Sequence, residues 1–266
     1  MRKILKLMKK LAMRFDVSFQ IGRLTSKEEL QKFINQLKPV KTDKQLIRLG
    51  SVKDGGYLVP DDLEGIEALF SPGVGMKQDF DLECADKGIK VFMSDASVNG
   101  PKENHELFHF QKKFIGAVDN DEYMTIESWM DSADISSSSD LILQMDIEGY
   151  EYETIYSIPI EKLKRFRLII IEFHQMEMLW NKYYFEKFKN AFLKLIQTHH
   201  VVHIHPNNCC EPIEKDGISI PPVMEFTFIR KDRVKTDGYV KTFPHPLDAD
   251  CAKKEPFYLP KCWYEN

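Results

Sequence analysis

The sequence predicts an α/β fold built on one mostly parallel sheet with helices on both faces. Short apolar runs recur along the chain with helical patterns between them, which is the signature of a parallel sheet with crossover helices. The clearest run, residues 168–173 (LIIIEF), opens on four consecutive apolar residues, as a strand buried on both faces requires. Residues 141–155 (LILQMDIEGYEYETI) begin in the same way, then break at Asp146 into Glu148, Gly149, Glu151 and Glu153. That pattern fits a strand running into a site, since open α/β sheets bind ligands beyond the carboxyl ends of their strands. It equally fits acids that simply open the next helix.

The elements follow in order. Residues 1–40 read as helical, with Ser26 and Glu29 spaced as a capping box. The first fifteen, MRKILKLMKKLAMRF, are basic and amphipathic, and their lysines interrupt any signal-peptide core. Such a helix docks on its own domain or on a second copy; contact with an anionic membrane is the less expected alternative. In RLGSVKDGGYLVP, residues 48–60, Asp54-Gly55-Gly56 marks a turn between two short apolar runs. Ala68–Phe70 reads as the first strand, followed by the turn Ser71-Pro72-Gly73-Val74-Gly75 and a helix reaching residues 84–87. Residues 89–93 form the second strand, 114–118 the third, 141–145 the fourth and 168–173 the fifth. A helix spans 183–197, and residues 201–205 and 223–229 form two further strands. Their connection carries Asn207, Asn208 and Pro221-Pro222 but no helix, so these two are expected to pair antiparallel at an edge. Beyond Arg230 the chain turns rich in Pro and aromatics up to Trp263, as an irregular arm would be. The organisation expected is an N-terminal extension (1–44), a main domain (45–232) and the arm (233–266).

The chain has 266 residues, enough for one large α/β domain with additions. With 43% apolar and 29% charged residues it has the composition of a soluble globular protein. A net charge of -4 gives no case for nucleic acid as a partner. Five cysteines, an odd number with no C-x-x-C pair, suit a reducing cytoplasm better than a disulfide framework. No apolar run is long enough to span a bilayer.

Several residues carry chemistry. Gly73-Val74-Gly75 follows the first strand directly, where glycine lets a ligand approach the backbone; a plain tight turn explains it as well. No third glycine completes the dinucleotide fingerprint, which weakens an NAD reading. Asp95 ends the second strand and follows Gly75 by twenty residues, the offset at which an acid accepts ribose hydroxyls. Glu172 and His174 are two apart, so they share a face, and Asp146 ends the neighbouring strand. The three can meet as a hard-cation site, as an acid–base pair with His174 or Asp146 taking a proton, or as a hydrogen-bonded structural network. His203 and His205 form an H-x-H pair that can bind metal but also suits a polar edge face; His205 is kept as a substrate contact. Cys209-Cys210 suggests no chemistry.

Taken together, the chain resembles the FkbM-type methyltransferases, a branch of the class I S-adenosylmethionine-dependent enzymes. The resemblance covers residues 45–230 and rests on the order and spacing of DGGYLVP (54–60), FSPGVGMKQDFDLECA (70–85), VFMSDAS (91–97), MTIESWM (124–130), LILQMDIEGYEYETI, LIIIEFHQ (168–175) and HIHPNN (203–208). It implies a Rossmann-like, seven-stranded sheet of order 3-2-1-4-5-7-6 with strand 7 antiparallel. It implies S-adenosylmethionine over the Gly73 and Gly75 turn beside Ser71, with Asp95 on the ribose and Ala96 next to it. Asp54, Gly55, Gly56 and Tyr57 would cap the pocket, Gly116, Ala117 and Val118 would lie near adenine, and Asp146 and Glu148 would flank the methionine end and the acceptor. His205 and Asn207 are expected on the substrate side. The implied reaction is methyl transfer to a hydroxyl of a carbohydrate, such as a sugar nucleotide or a surface-polysaccharide precursor. A divalent cation, Mg or Mn, held by Asp146, Glu172 and His174 is a further option. The chain departs from the common pattern at Ser71-Pro72 and around Ser94-Asp95-Ala96. The expected partner is a small molecule or sugar nucleotide, in the cytoplasm, with a homodimer possible. Two other readings stay open: an NAD-dependent oxidoreductase, for which no Tyr-x-x-x-Lys pair is evident, and a non-catalytic cofactor-binding protein.

Overall fold

A computed structural model describes residues 22–52, 55–75 and 77–265. The basic segment 1–15 and Asp54 lie outside the described residues.

Helix α1, Lys27–Gln36, starts at Ser26, whose side chain accepts from the Glu29 amide while Glu29 reaches back to Ser26. Its Leu30, Phe33 and Ile34 form one buried stripe. The helix ends before Pro39, and Val40–Thr42 is already a strand, β1, not the helix expected there. β2 (Leu46–Gly50) and β3 (Gly56–Pro60) form the expected antiparallel hairpin. Next come β4 (Ile66–Pro72), α2 (Asp79–Asp86), β5 (Lys90–Ser94) and β6 (Phe108–Gln111).

β6 corrects the sequence reading of the third strand. Phe114–Gly116 (β7) does not join the main sheet but pairs with Tyr123–Thr125 (β8) in a small parallel ribbon. β6, FHFQ, alternates half-buried and exposed residues because it is the edge of the sheet. The more continuously apolar FIGAV is the stronger signal only for a strand covered on both faces.

The chain continues through α3 (Ile126–Ser132), β9 (Asp140–Met145), α4 (Glu151–Ser157), α5 (Ile160–Leu163) and β10 (Phe166–Phe173). Helix α6 (Lys182–Thr198) and β11 (His199–Pro206) follow. The 207–222 connection holds a small hairpin of β12 (Ile213–Lys215) and β13 (Ile218–Ile220). Then come β14 (Met224–Arg230) and β15 (Thr236–Tyr239).

Seven strands form one sheet in the order β11-β14-β10-β9-β4-β5-β6. β4, β5, β6, β9 and β10 are mutually parallel, and β14 runs antiparallel to both β10 and β11. This is the Rossmann-like class I methyltransferase arrangement, strand 7 slotted between strands 5 and 6. Both faces are buried. Phe70, Leu143 and Ile171 face α1, α3, α4 and α6, while Leu69, Ile142 and Ile170 face the β2–β3 hairpin and α2.

The arm is more ordered than the sequence suggests. β15 pairs with β1, Arg233 binds the buried Asp62, and Trp263 is fully buried with its indole N–H donating to the Ser219 carbonyl at 3.0 Å. Trp263→Ala is expected to cost about 3–5 kcal/mol, as removal of a buried aromatic does. Urea denaturation would show this as a lower midpoint at unchanged slope. A cost below about 1 kcal/mol, within the range of ordinary surface effects, would mean the arm unfolds apart from the domain.

Candidate active site

Chain order reverses at β4: the sheet grows through β5 and β6 on one side, and the chain then returns to place β9 on the other. The carboxyl ends of β4 and β9 therefore flank the switch point where open α/β sheets bind ligands. Gly73 leaves β4 there with a φ of 90°, and a Cβ on it would sit 1.7 Å from the Asp146 carbonyl oxygen. Only glycine permits this contact. Gly75 is different: among the described residues, nothing lies within 4 Å of a Cβ placed on it.

A cavity of about 410 Å³ opens over this junction, within the roughly 300–1,000 Å³ of small-molecule sites. Gly73, Ser94, Asp95, Asp146 and Glu148 supply its polar walls, and Phe114, Tyr123 and Tyr150 supply aromatic ones. Asp95 joins the two strand ends: its Oδ2 accepts from the Val74 amide at 3.0 Å and its Oδ1 from the Ser97 amide at 2.7 Å. Oδ1 also accepts from the Ser97 hydroxyl at 2.7 Å, so it is Oδ2 that keeps a second lone pair for a ligand hydroxyl. Ala96 follows on the rim without lining the cavity. Ala117 and Val118 are exposed, and Phe114 and Ile115 form the wall in their stead.

The expected capping residues take a supporting place. Gly55 and Gly56 turn the hairpin, where a Cβ on Gly56 would lie 2.0 Å from the Ser51 carbonyl oxygen. Tyr57 is buried behind the cavity, its hydroxyl accepting from Gln144 Nε2 at 3.2 Å, while Ser71 donates to Gln144 Oε1 at 2.8 Å. None of these residues lines the cavity itself. Burial, with the carboxylates of Glu225, Asp146 and Glu172 adding to it, raises the Tyr57 hydroxyl well above its ordinary range.

The predicted trio of Asp146, Glu172 and His174 converges. His174 Nε2 lies 3.8 Å from Asp146, 3.6 Å from Glu172 and 3.4 Å from Glu148. Asp146, Glu148 and His174 each offer a ligand atom within 4.8 Å of the other two; Glu172 faces the same Nε2 but does not belong to that group. Burial works against charge on His174, but Glu151, Asp146 and Glu172 outweigh it and lift the imidazole to about 9. Burial lifts the Asp146 carboxyl to about 7, against the pull of His174 and with help from Glu148 and Glu151. Burial likewise holds Glu172 well above the usual carboxylate range. Asp146 Oδ1 is buried and has no hydrogen-bond partner among the described residues.

Glu151 was not legible as a site residue. It is fully buried at the start of α4, where its Oε1 accepts from the amides of Ile147 (3.2 Å) and Gly149 (3.0 Å) and faces His174 Nδ1 at 3.1 Å. It both shapes the loop after β9 and orients the imidazole. Glu148 and Gln175, at φ of 56° and 58°, hold left-handed backbone at the ends of adjacent strands. Such strain gathers at functional sites. Asn207 donates to Glu172 Oε1 at 3.3 Å, which brings the post-β11 loop to the site. His205 is buried further along the sheet, beside Asp248.

No protein-family model matches the chain, and no curated protein matches it at a significant level. Solved structures similar to it include the following three. One is a Methanococcus jannaschii fibrillarin, a pre-rRNA processing protein, at 14% identity over 71% of this chain and 83% of its own, with a TM-score of 0.37. Another is a Burkholderia thailandensis 1,6-didemethyltoxoflavin-N1-methyltransferase with bound S-adenosylhomocysteine, at 12% identity over 62% and 72%, TM-score 0.30. The third, an antibiotic-related methyltransferase, shares 11% identity over 80% and 98%, TM-score 0.26. At identities and scores this low they carry no activity over to this chain. Among the described residues, no helix is long and apolar enough to cross a membrane.

Proposed function

We propose that this chain is an S-adenosylmethionine-dependent O-methyltransferase of the FkbM type, acting on a hydroxyl of a carbohydrate. The observation that carries the reading is the cavity at the β4–β9 switch point, which joins the Gly73 turn and Asp95 to the Asp146 cluster. The aromatic wall of Phe114, Tyr123 and Tyr150 suits a planar base, and Asp95 suits the hydroxyls of a ribose. The acids at the other end suit a cationic sulfonium. Carbohydrate as the acceptor rests on the resemblance of the ordered motifs.

The cofactor supplies a methyl carbon already activated by its positive sulfur. This chain has to place an acceptor oxygen in line with that carbon and take up its proton. The chemistry the cofactor would supply is transfer of that methyl to the acceptor oxygen with the S–C electron pair left on sulfur, and the hydroxyl proton would go to this chain's own acceptor. Asp146, at about 7, is matched to that task at neutral pH, whereas His174, at about 9, holds its own proton. His174 is thus the cation that orients Asp146 and Glu172. The same residues also fit a divalent cation. Asp146, Glu148 and Nε2 of His174 would be its ligands, with Glu151 on Nδ1 as the supporting carboxylate. Such an ion lowers the pKa of a bound hydroxyl.

Calorimetric titration of S-adenosylhomocysteine into the purified protein tests the reading, with NAD as control and with and without Mg2+. Micromolar binding of S-adenosylhomocysteine and none of NAD is expected. Binding of NAD alone, or of neither, refutes the class.

A further inference from the structure

A second group of metal-binding side chains lies outside this cavity. His203 and His205 leave one face of β11, two residues apart, and Asp248 comes to them from the arm. One ring nitrogen of each histidine and one Asp248 oxygen all lie within 4.8 Å of one another. His203 Nε2 is 2.8 Å from Asp248 Oδ1, and His205 Nδ1 is 3.7 Å from the same oxygen. The other carboxylate oxygen, Oδ2, accepts from the His245 amide at 2.7 Å, which fixes the carboxylate toward the histidines. His205 Nε2 is buried and has no hydrogen-bond partner among the described residues. A cavity of about 230 Å³ opens beside His205 and Asp248, walled by Phe243 and Tyr258.

We propose that His203, His205 and Asp248 bind a transition-metal ion of the zinc class and that this ion fastens the C-terminal arm to the edge of the sheet. Two imidazole nitrogens and one carboxylate form a donor set for zinc and its neighbours, which take three or four N and O ligands. Calcium and magnesium want more oxygen donors than this cluster holds. The ligands also come from separate parts of the chain. Two sit on a strand whose backbone is fixed by β14, and the third sits in a loop otherwise tied down by Asn208, which donates to the Ala252 and Lys254 carbonyls. A metal ion here cross-links fold and arm.

The test uses the full-length protein, stripped with EDTA and titrated with ZnCl2 by calorimetry and with CoCl2 by visible absorption. The wild type is expected to bind one equivalent of zinc at this site and to show the intense cobalt band of a four- or five-coordinate ion. Losing even an outer-shell partner weakens metal sites by about 10–100-fold, so His203→Gln and Asp248→Asn are expected to lose at least that much affinity. Circular dichroism establishes that both variants are folded. Asp146→Asn and His174→Gln are expected to keep this equivalent, which separates it from any ion in the first cavity. Zinc should also slow tryptic cleavage at the exposed Lys253 and Lys254 in the wild type but not in Asp248→Asn. A wild type that binds no zinc overturns the proposal. So does zinc binding that survives both His203→Gln and Asp248→Asn, or that vanishes only in Asp146→Asn and His174→Gln.

Discussion

Under the proposed function, Asp146→Asn is expected to lower methyl transfer by about 10²–10⁴-fold, the usual contribution of a positioned proton acceptor. The loss should fall on kcat, with S-adenosylhomocysteine affinity changed only modestly, because the amide keeps the shape of the cavity wall. The pH profile gives the sharper reading. Burial, reinforced by Glu148 and Glu151, lifts the Asp146 carboxyl to about 7. Below that value the native carboxyl carries a proton and cannot accept another, so the wild-type rate should rise with pH through about 7 and then level. In Asp146→Asn that limb should disappear. His174 draws the Asp146 pKa down, so His174→Gln should move the limb to higher pH. A rate and a pH limb unchanged in Asp146→Asn would remove Asp146 from the chemistry.

Gly73→Ala is expected to be the most destabilising small substitution at the site. Two costs add. A φ of 90° is costly for any residue with a Cβ, of order 1–2 kcal/mol. The new carbon would also meet the Asp146 carbonyl oxygen at 1.7 Å, so the ends of β4 and β9 would have to part. The sum should exceed the roughly 0.5–3 kcal/mol of common substitutions. Gly75→Ala, two residues on, faces open space and should stay within about 0.5 kcal/mol of the wild type. Urea denaturation of the two variants side by side decides the matter, and equal midpoints would mean that the strands do not meet as described.

Much of this was legible because single residues report on buried strands. LIIIEF and LILQM read as strands covered on both faces, and the period of two put Glu172 and His174 on one face with Asp146 at the end of the next strand, so that the three could meet. The third strand was not legible, since β6 pays for its edge position with alternating polar residues and reads as loop. Glu151 was hidden for another reason: an acid opening a helix is normally a solvated partner of the helix end, and only the fold shows it turned inward to His174. Asp248 could not be found from the sequence, because its meeting with His203 spans the arm and obeys no local period. β1 and β15 fail for the same reason, being short strands defined by each other.

That last pairing bears on how the molecule comes to be folded. Val40 meets Tyr239 and Thr42 meets Thr236, so β1 waits for a strand made much later in the chain. The parallel core between them can gather as its helices emerge, but this closure carries one of the largest sequence separations in the chain and the entropy that goes with it. On the ribosome β1 stays unmated until β15 has been made. The nascent protein therefore passes through a stage with a formed sheet and an uncovered flank, the stage at which aggregation competes most directly with folding.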